Sequence, residues 1–362
     1  MKLFFTSLSI LLIINSFAQT DTTTIKSDSV TVILEGEVLI DSVAEGQKLY
    51  NEGISAIEAN NFQQAIEMFT QSEGFNPLFH KLYYNRGRAH ASLKLYEKAT
   101  TDFQRYIDSS DKKDIAFYEL YKMNLEQGKE ADAFNNLDLA IKSNPKEAKY
   151  PYERGVSKFQ NGDYDGAIKD FTKSIEADKN YAYAYNDRGS AKMKNGDVDS
   201  AIEDYRYATM LDANLAFSFN NLGTALRKAG KFDEAIKQYT KAISLDNKCF
   251  IAYNNRGLVK FENKQFEESI KDFSQALQLN SNYVFAYNNR ASAHLKLENY
   301  KDAEKDCSKA IDLEPMYAQA HFNRGIANEM LRNVDQACID WRKAAELGLK
   351  SAETHYSSVC ND

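Results

Sequence analysis

The chain has little of what breaks helices or cross-links small domains: 4 prolines and 4 cysteines occur among 362 residues. So little proline argues against a disordered chain, and so few cysteines argue against a disulfide-dense one. With 43% hydrophobic and 27% charged residues, the composition is that of a soluble, helix-friendly chain that can bury a core. The length exceeds that of one ordinary domain without any change of composition along it, so a repeat array is one explanation.

Blocks of basic residues are also missing. The formal net charge is -7, and it becomes -8 once Lys2 is removed with an N-terminal leader. Nucleic acids and anionic lipids both draw their affinity from clustered lysine and arginine. We therefore expect neither as a partner.

The sequence lacks the common motifs of catalysis and metal binding. The five histidines are scattered and form no H-E-x-x-H pair, and neither a G-x-x-x-x-G-K-[ST] loop nor a G-x-S-x-G elbow occurs. We expect no catalytic residue, no metal site and no cofactor, and so a protein that is not an enzyme.

One apolar run stands at the N-terminus. It extends from Leu3 to Ile14 after the positive charge of Lys2, and small residues flank Phe17. This layout predicts a signal peptide over residues 1–18, cleaved after Ala18; a membrane anchor needs about 20 apolar residues and fits less well. No cysteine follows the cleavage site for lipid attachment, and no second apolar run could insert the mature chain into a membrane. We expect an exported protein, periplasmic or extracellular.

A 34-residue period organises the rest of the chain. Seven glycines share one position of the period: Gly53, Gly87, Gly155, Gly189, Gly223, Gly257 and Gly325. Tyr121 and Ala291 hold the two missing positions of this glycine column. Twelve residues later every unit carries a small residue, alanine in all but one, and four residues after that most units carry an aromatic ring. Two small-residue positions per unit predict two helices that cross closely, joined by turns such as Asn161-Gly162-Asp163.

This pattern resembles the tetratricopeptide repeat family, and the segment from Ala252 to Asn280 carries nearly every signature residue of one repeat. The resemblance implies an all-α fold, a right-handed α-solenoid (superhelix) of nine helix-turn-helix repeats with a C-terminal capping helix. The leader spans residues 19–45 and the capping helix 352–362. The repeats span 46–79, 80–113, 114–147, 148–181, 182–215, 216–249, 250–283, 284–317 and 318–351. The repeat at 114–147 departs most, with Tyr121 for glycine and Leu137 for the ring.

Two cysteines lie where the capping helix folds back on the last repeat. Cys338 belongs to the second helix of that repeat, and Cys360 to the terminal helix. In an oxidising compartment a bond between them would fasten a short helix that otherwise frays, and closing a loop of about 20 residues is worth roughly 3 kcal/mol in the chain-entropy model. We predict a disulfide.

In the family, first helices line the concave groove, which implies that the residues three before the glycine column face it. These begin with tyrosines, continue with asparagines and end with Phe322. The next column is also rich in asparagine, interrupted by Glu119, Glu153 and Asp187. The candidate peptide-binding residues are Tyr84, Tyr118, Tyr152, Asn186, Asn220, Asn221, Asn254, Asn255, Asn288, Asn289 and Asn323.

Asparagine offers a donor and an acceptor at one tip, so a row of them can pair with the backbone of an extended peptide regardless of its sequence. This row is similar to the asparagine ladder of O-linked N-acetylglucosamine transferases. The alternative is that these residues serve the repeat itself, because they belong to the common pattern of the family. Arg88 and Lys122 leave open a preference for an acidic segment in the N-terminal repeats.

Together these features predict a non-enzymatic scaffold that binds a protein or an extended peptide in the groove, in the cell envelope or outside the cell. The alternative is a structural subunit of a larger envelope or secretion assembly that uses the convex face or the ends.

Overall fold

A computed structural model describes residues 42–75 and 79–360, and all regular secondary structure in these residues is helical. The all-α repeat fold predicted from the sequence is confirmed. The predicted signal peptide and residues 19–41 of the leader lie outside the described residues. The first helix begins at Ser42, earlier than the predicted start of the first repeat at residue 46.

Nineteen helices follow one another in the described residues. They are α1 Ser42–Glu58, α2 Phe62–Phe75, α3 His80–Ser92, α4 Tyr96–Ser109, α5 Lys113–Glu126, α6 Glu130–Ser143, α7 Lys149–Gln160, α8 Tyr164–Ala177, α9 Ala182–Lys194, α10 Val198–Leu211, α11 Ala216–Lys228, α12 Phe232–Leu245, α13 Phe250–Glu262, α14 Phe266–Leu279, α15 Val284–Lys296, α16 Tyr300–Leu313, α17 Ala318–Met330, α18 Val334–Glu346 and α19 Lys350–Val359. None of these helices is both long and apolar enough to cross a membrane.

The helices fall into two compact units that divide between Pro145 and Lys146. The first unit holds α1–α6, and the second holds α7–α19. Within each unit, every odd-numbered helix up to α17 packs against the even-numbered helix that follows it, and helix pairs pack on their neighbours along the chain. The last helix, α19, packs against α18.

The close contact within a helix pair lies where a glycine of the first helix meets a ring of the second. A Cβ on Gly257 would lie 2.8 Å from Cε1 of Phe273, so the ring occupies the space that any side chain would need. The same holds at Gly87 with Phe103. The small residues twelve positions after the glycine column are fully buried: Ala65, Ala99, Ala133, Ala167, Ala201, Ala235, Ser269, Ala303 and Ala337. Small residues at these two positions let the helices approach, as the sequence predicted.

Two helix pairs do not have a glycine facing a ring, and in each of them a second residue changes in compensation. In α15 and α16, Ala291 adds a methyl group where other pairs have glycine, and the smaller Cys307 replaces the ring; both are fully buried in one cluster. In α5 and α6 the exchange is reversed, since Tyr121 brings a ring on the first helix and Leu137 takes the place of the ring on the second. The interior therefore stays filled in both.

A residue in the left-handed backbone conformation links the two helices of every pair. These residues recur every 34 positions: Asn60, Lys94, Gly128, Gly162, Gly196, Gly230, Lys264, Glu298 and Arg332. At Gly162 the next residue, Asp163, caps α8 by accepting a hydrogen bond from the backbone N–H of Gly166 at 2.9 Å. The predicted turn at Asn161-Gly162-Asp163 is confirmed, and it ends one helix and begins the next.

Ion pairs inside six helix pairs are a feature that the sequence analysis missed. Arg256, directly before the glycine column, donates from Nε and Nη2 to the carboxylate of Asp272 at 2.9 and 2.7 Å. Its Nη1 also donates to Thr240 of the preceding pair at 3.1 Å. The same arginine clamp joins Arg86 to Asp102, Arg154 to Asp170, Arg188 to Asp204, Arg290 to Asp306 and Arg324 to Asp340. The aspartates are buried, so each clamp orients a first helix by charge-assisted bonds in a dry interior.

Helix pairs without the arginine also lack the aspartate. In α11 and α12 the two positions hold Leu222 and Gln238, and in α5 and α6 they hold Leu120 and Asn136. Because an unpaired buried charge is costly, the two residues are exchanged together. This correlated exchange is the signal in the sequence that predicts the clamp.

The clamp of Arg154 and Asp170 controls the titration of Asp170. Burial alone raises the pKa of Asp170, but hydrogen bonds and charge from Arg154 and Lys158 outweigh burial, and the net pKa is lowered from its usual value. A carboxyl whose pKa is lower in the folded chain than in the unfolded chain stabilises the fold above the unfolded value, about 3.9. That stabilisation is lost as the pH falls through the lower, folded value.

Replacement of the buried carboxylate is therefore expected to unfold the second unit more easily at neutral pH. Asp170→Asn removes the buried carboxylate that Arg154 and Lys158 share, and it should cost about 3–5 kcal/mol of unfolding free energy at pH 7, with a weaker pH dependence below about pH 4. Urea unfolding followed by circular dichroism between pH 2 and pH 7 measures both effects.

The triple variant Arg154→Leu/Lys158→Leu/Asp170→Gln is the matched control, because it introduces the residues that α11 and α12 carry at the same positions. It should lose far less stability at pH 7 than Asp170→Asn. Equal stability of wild type and Asp170→Asn at pH 7 would contradict the proposed role of the clamp.

Candidate functional site

The asparagines of the two candidate columns pair with each other between consecutive repeats. In each pair, an asparagine of one first helix accepts a hydrogen bond from an asparagine 35 residues later, on the next first helix. Nδ2 of Asn221 donates to Oδ1 of Asn186 at 3.2 Å, that of Asn255 to Asn220 at 3.1 Å, that of Asn289 to Asn254 at 3.1 Å, and that of Asn323 to Asn288 at 2.9 Å. We call these four pairs the amide rungs; all lie in the second unit.

The candidate tyrosines make the same connection to acidic residues. The hydroxyl of Tyr152 donates to Oδ2 of Asp187 at 2.7 Å, and that of Tyr84 donates to Oε1 of Glu119 at 3.3 Å. Burial, followed by the charge of its carboxylate partner, raises the pKa of each tyrosine, so both hydroxyls stay protonated and remain donors. Tyr118 is half-buried, and its ring lies 5.3 Å from Nζ of Lys122.

The sequence predicted that these residues bind a peptide. In the structure they also join consecutive repeats by hydrogen bonds. The rungs use only part of each amide. In the described residues, Nδ2 of Asn220, Asn254 and Asn288 has no partner, as the hydrogen bonds of these side chains show. The same holds for Oδ1 of Asn255 and Asn289.

None of these five atoms is enclosed without access to solvent. The rung of Asn220 and Asn255 therefore presents one spare donor and one spare acceptor, and so does the rung of Asn254 and Asn289. The spare atoms are held in place by the hydrogen bond that each rung already makes. A ligand would find them in a fixed order along the first helices.

An apolar stripe lies one helical turn before the amide rungs, on the same face of the first helices. The stripe consists of Tyr183, Phe217, Ile251 and Phe285, which recur every 34 residues and expose 37%, 41%, 40% and 43% of their surface. Residues three apart on a helix are neighbours, so each stripe residue stands beside the first asparagine of its repeat. This stripe was not predicted from the sequence, although its 34-residue recurrence is the same signal that revealed the asparagines.

Ring contacts connect neighbouring residues at both ends of the stripe. The ring centroids of Tyr183 and Phe217 lie 5.8 Å apart, and those of Phe285 and Tyr317 lie 5.7 Å apart. Monomeric proteins seldom expose a row of large apolar side chains without a binding role. The face of α9, α11, α13 and α15 thus combines spare amide groups with an exposed apolar surface.

The C-terminal helix covers the end of the candidate column. Cys338 in α18 and Cys360 form a disulfide with their Cα atoms 5.8 Å apart. The ring of His355 in α19 lies 5.0 Å from that of Phe322, the last residue of the column. The ring of Phe322 is therefore already in contact with the C-terminal helix of the same chain.

Models of the tetratricopeptide repeat match more than half of the chain. The model described as "TPR repeat" matches residues 155–196 and 223–264, and models described as "Tetratricopeptide repeat" match 50–114, 182–215, 250–283 and 284–317. The resemblance found in the sequence is confirmed. No curated protein matches the chain in sequence.

Solved structures share the fold. A tetratricopeptide repeat protein from Parabacteroides merdae is 16% identical, with a TM-score of 0.54, over 68% of this chain and 99% of that one. PilF of Pseudomonas aeruginosa is 20% identical, with a TM-score of 0.53, over 59% of this chain and 97% of that one. A structure of the APC/C hetero-tetramer Cut9–Hcn1 is 14% identical, with a TM-score of 0.54, over 87% of this chain and 76% of that one.

Proposed function

The chain belongs to the tetratricopeptide repeat family, and we propose on this basis that it is a non-enzymatic scaffold that binds an extended peptide or protein segment along the amide rungs and the apolar stripe of its second unit. One observation carries the proposal. Spare donors and acceptors recur from repeat to repeat directly beside exposed apolar side chains.

The amide rungs suit the backbone of a peptide. An extended segment offers a donor and an acceptor at each residue, and each of the two central rungs offers one of each in return. Because the amides are already fixed by a hydrogen bond to a neighbour, little conformational entropy is lost when a peptide pairs with them. The contacts are independent of the peptide sequence.

The apolar stripe supplies affinity that backbone hydrogen bonds alone do not give. A hydrogen bond to a ligand replaces one to water and contributes little net free energy. Burial of Phe217, Ile251 and Phe285 against apolar side chains of the peptide removes apolar surface from water, which is the main favourable contribution in most associations. We therefore propose a segment with apolar side chains turned toward the stripe.

The buried carboxylates support a role without catalysis. In the described residues each buried aspartate of an arginine clamp is held by a guanidinium group, as in Asp272, and is enclosed between helices. A general acid or base needs access to a substrate and a pKa near the working pH. The lowered pKa of Asp170 and Asp340 is the opposite of what a general acid requires.

We also propose that the chain works outside the cytoplasm. The apolar run before Ala18 supports this, and so does the disulfide between Cys338 and Cys360, because such bonds persist in oxidising compartments. N-terminal sequencing of the protein recovered from the cell envelope or the medium should begin at Gln19. An intact N-terminus on protein found only in the cytoplasm would refute export.

Removal of the apolar stripe is expected to weaken peptide binding without unfolding the chain. The triple variant Phe217→Ser/Ile251→Ser/Phe285→Ser should reduce the affinity for peptides selected from a random 12-residue display library by roughly tenfold or more, since each lost apolar contact costs about 0.5–1 kcal/mol. Fluorescence anisotropy with labelled peptides measures the affinity.

The matched control for the stripe removes three apolar residues elsewhere that are even more exposed. Met210, Met316 and Ile339 expose 69%, 65% and 57% of their surface and lie off the stripe. Their triple serine variant should bind as wild type does. Equal losses in both triple variants would argue against the stripe as the contact surface.

Loss of the amides should weaken the same binding for a different reason. Asn220→Ala/Asn254→Ala/Asn288→Ala removes the spare donors and three rungs, so capture should fall, and stability should fall by about 0.5–1.5 kcal/mol per rung. Gly230→Ala is the control. Gly230 has a φ of +73, which is unfavourable for alanine, so this variant should lose stability at a turn away from the amide face. It should leave affinity unchanged. Unchanged peptide capture by the asparagine variant would reject the amide rungs as a binding site.

The role of a structural subunit makes a different prediction. Partners would co-purify with the chain in a fixed stoichiometry, and none of these variants would change that.

A further inference from the structure

Asp187 differs from the buried aspartates of the second unit in its partners. Asp170, Asp204, Asp272, Asp306 and Asp340 each pair with an arginine. Asp187 instead accepts hydrogen bonds from two neutral groups, the hydroxyl of Tyr152 at 2.7 Å and Nδ2 of Asn186 at 2.9 Å. It has no cationic partner in the described residues.

The surroundings of Asp187 do little to stabilise its charge. The side chain is half-buried at the start of the row of amide rungs. Burial raises the pKa of this carboxyl, and the hydrogen bonds from Tyr152 and Asn186 only partly oppose it. A carboxylate in such a place gains from any cation that arrives with a ligand.

A series of aromatic rings begins at Tyr152, the tyrosine that donates a hydrogen bond to this carboxylate. The centroid of the Tyr181 ring lies 4.9 Å from that of Tyr152 and 6.3 Å from that of Tyr183, whose ring continues to Phe217. Burial, and then the charges of Glu153 and Asp187, raise the pKa of Tyr181. Tyr183 and Phe217 are exposed, so the cluster opens onto the same face as the apolar stripe.

This combination of groups selects for one chemistry. Ring faces attract cations and also accept aliphatic chains, and a carboxylate bonds strongly to an ammonium or guanidinium group. Lysine and arginine carry such a group at the end of an apolar stem. An anionic side chain would be repelled by Asp187, and a neutral one would leave Asp187 without a counter-charge.

The position of the cluster relates it to the peptide. Asp187 stands in the same column as Asn221, Asn255 and Asn289, so it takes the place of an asparagine at the end of the row. We infer that Asp187 and the rings of Tyr181 and Tyr183 form a subsite for a lysine or arginine side chain of the peptide held by the amide rungs. The inference rests on the proposed function and adds that the bound segment is basic at one end, which also fixes its direction along the helices.

The test uses the full chain, a random 12-residue peptide display library, and the variant Asp187→Asn. This variant restores the residue that the later repeats have and keeps the hydrogen bond from Tyr152. Peptides selected on wild type should carry lysine or arginine near one end, and those selected on Asp187→Asn should not. Asp199→Asn removes the same charge from an exposed position of α10 and should retain the basic preference.

A synthetic pair of peptides then measures the effect. One carries a single arginine at the selected position, and the other carries citrulline, which has nearly the same shape without the charge. Wild type and Asp199→Asn should prefer arginine by roughly tenfold, and Asp187→Asn by less than about twofold.

The outcomes separate this inference from the proposed function. Equal affinity of wild type for arginine and citrulline, or a selection rich in acidic residues, overturns the basic subsite, whereas the proposed function still stands if the stripe variant weakens those peptides. Failure of wild type to select any peptide overturns both.

Discussion

The fold depends on how closely the two helices of a pair can approach. In seven of the nine described pairs, a glycine of the first helix faces a ring on the second, as Gly257 faces Phe273. The ring is too large to share this space with even a methyl group, so the crossing point is fixed. Where Ala291 supplies a methyl group, Cys307 replaces the ring, which shows that the filled volume matters more than the identity of either residue.

The crossing point of each pair determines where the asparagines and the apolar stripe lie. The first asparagine column lies three residues before the glycine column, almost one helical turn along the same helix, and the apolar stripe lies three residues earlier. Because the crossing point fixes both the position and the rotation of each first helix, the amide of Asn254 reaches that of Asn289 on the next repeat. The arginine clamps add to this order by joining each first helix to its own second helix and, in most clamps, to the preceding pair. The amides and the stripe are therefore arranged before any ligand arrives, which lowers the entropy lost on binding.

The sequence alone predicted the repeat period, the two small-residue positions, the turns and the pairing of Cys338 with Cys360, since each depends on spacing along one chain. It predicted which asparagines matter but not that they bond to each other, because the partner of Asn220 lies 35 residues away and the offset of one residue follows from how neighbouring helices are rotated. The clamp of Arg256 and Asp272 was not predicted, because charged residues are mostly exposed and only the fold shows that Asp272 is buried. A single apolar residue such as Ile251 does not indicate a binding surface until the fold shows that it is exposed and which residues lie beside it.

The helix pair α11 and α12 differs from its neighbours in having Leu222 and Gln238 where they have a clamp. Its interior is apolar, with Leu222, Leu226 and Tyr239 buried together. No buried ion pair has to be completed within this pair, because neither Leu222 nor Gln238 carries a charge. The helix that presents Asn220 is therefore seated on its partner without an arginine clamp, and a substitution that unpairs a clamp elsewhere leaves no uncompensated charge in this part of the array.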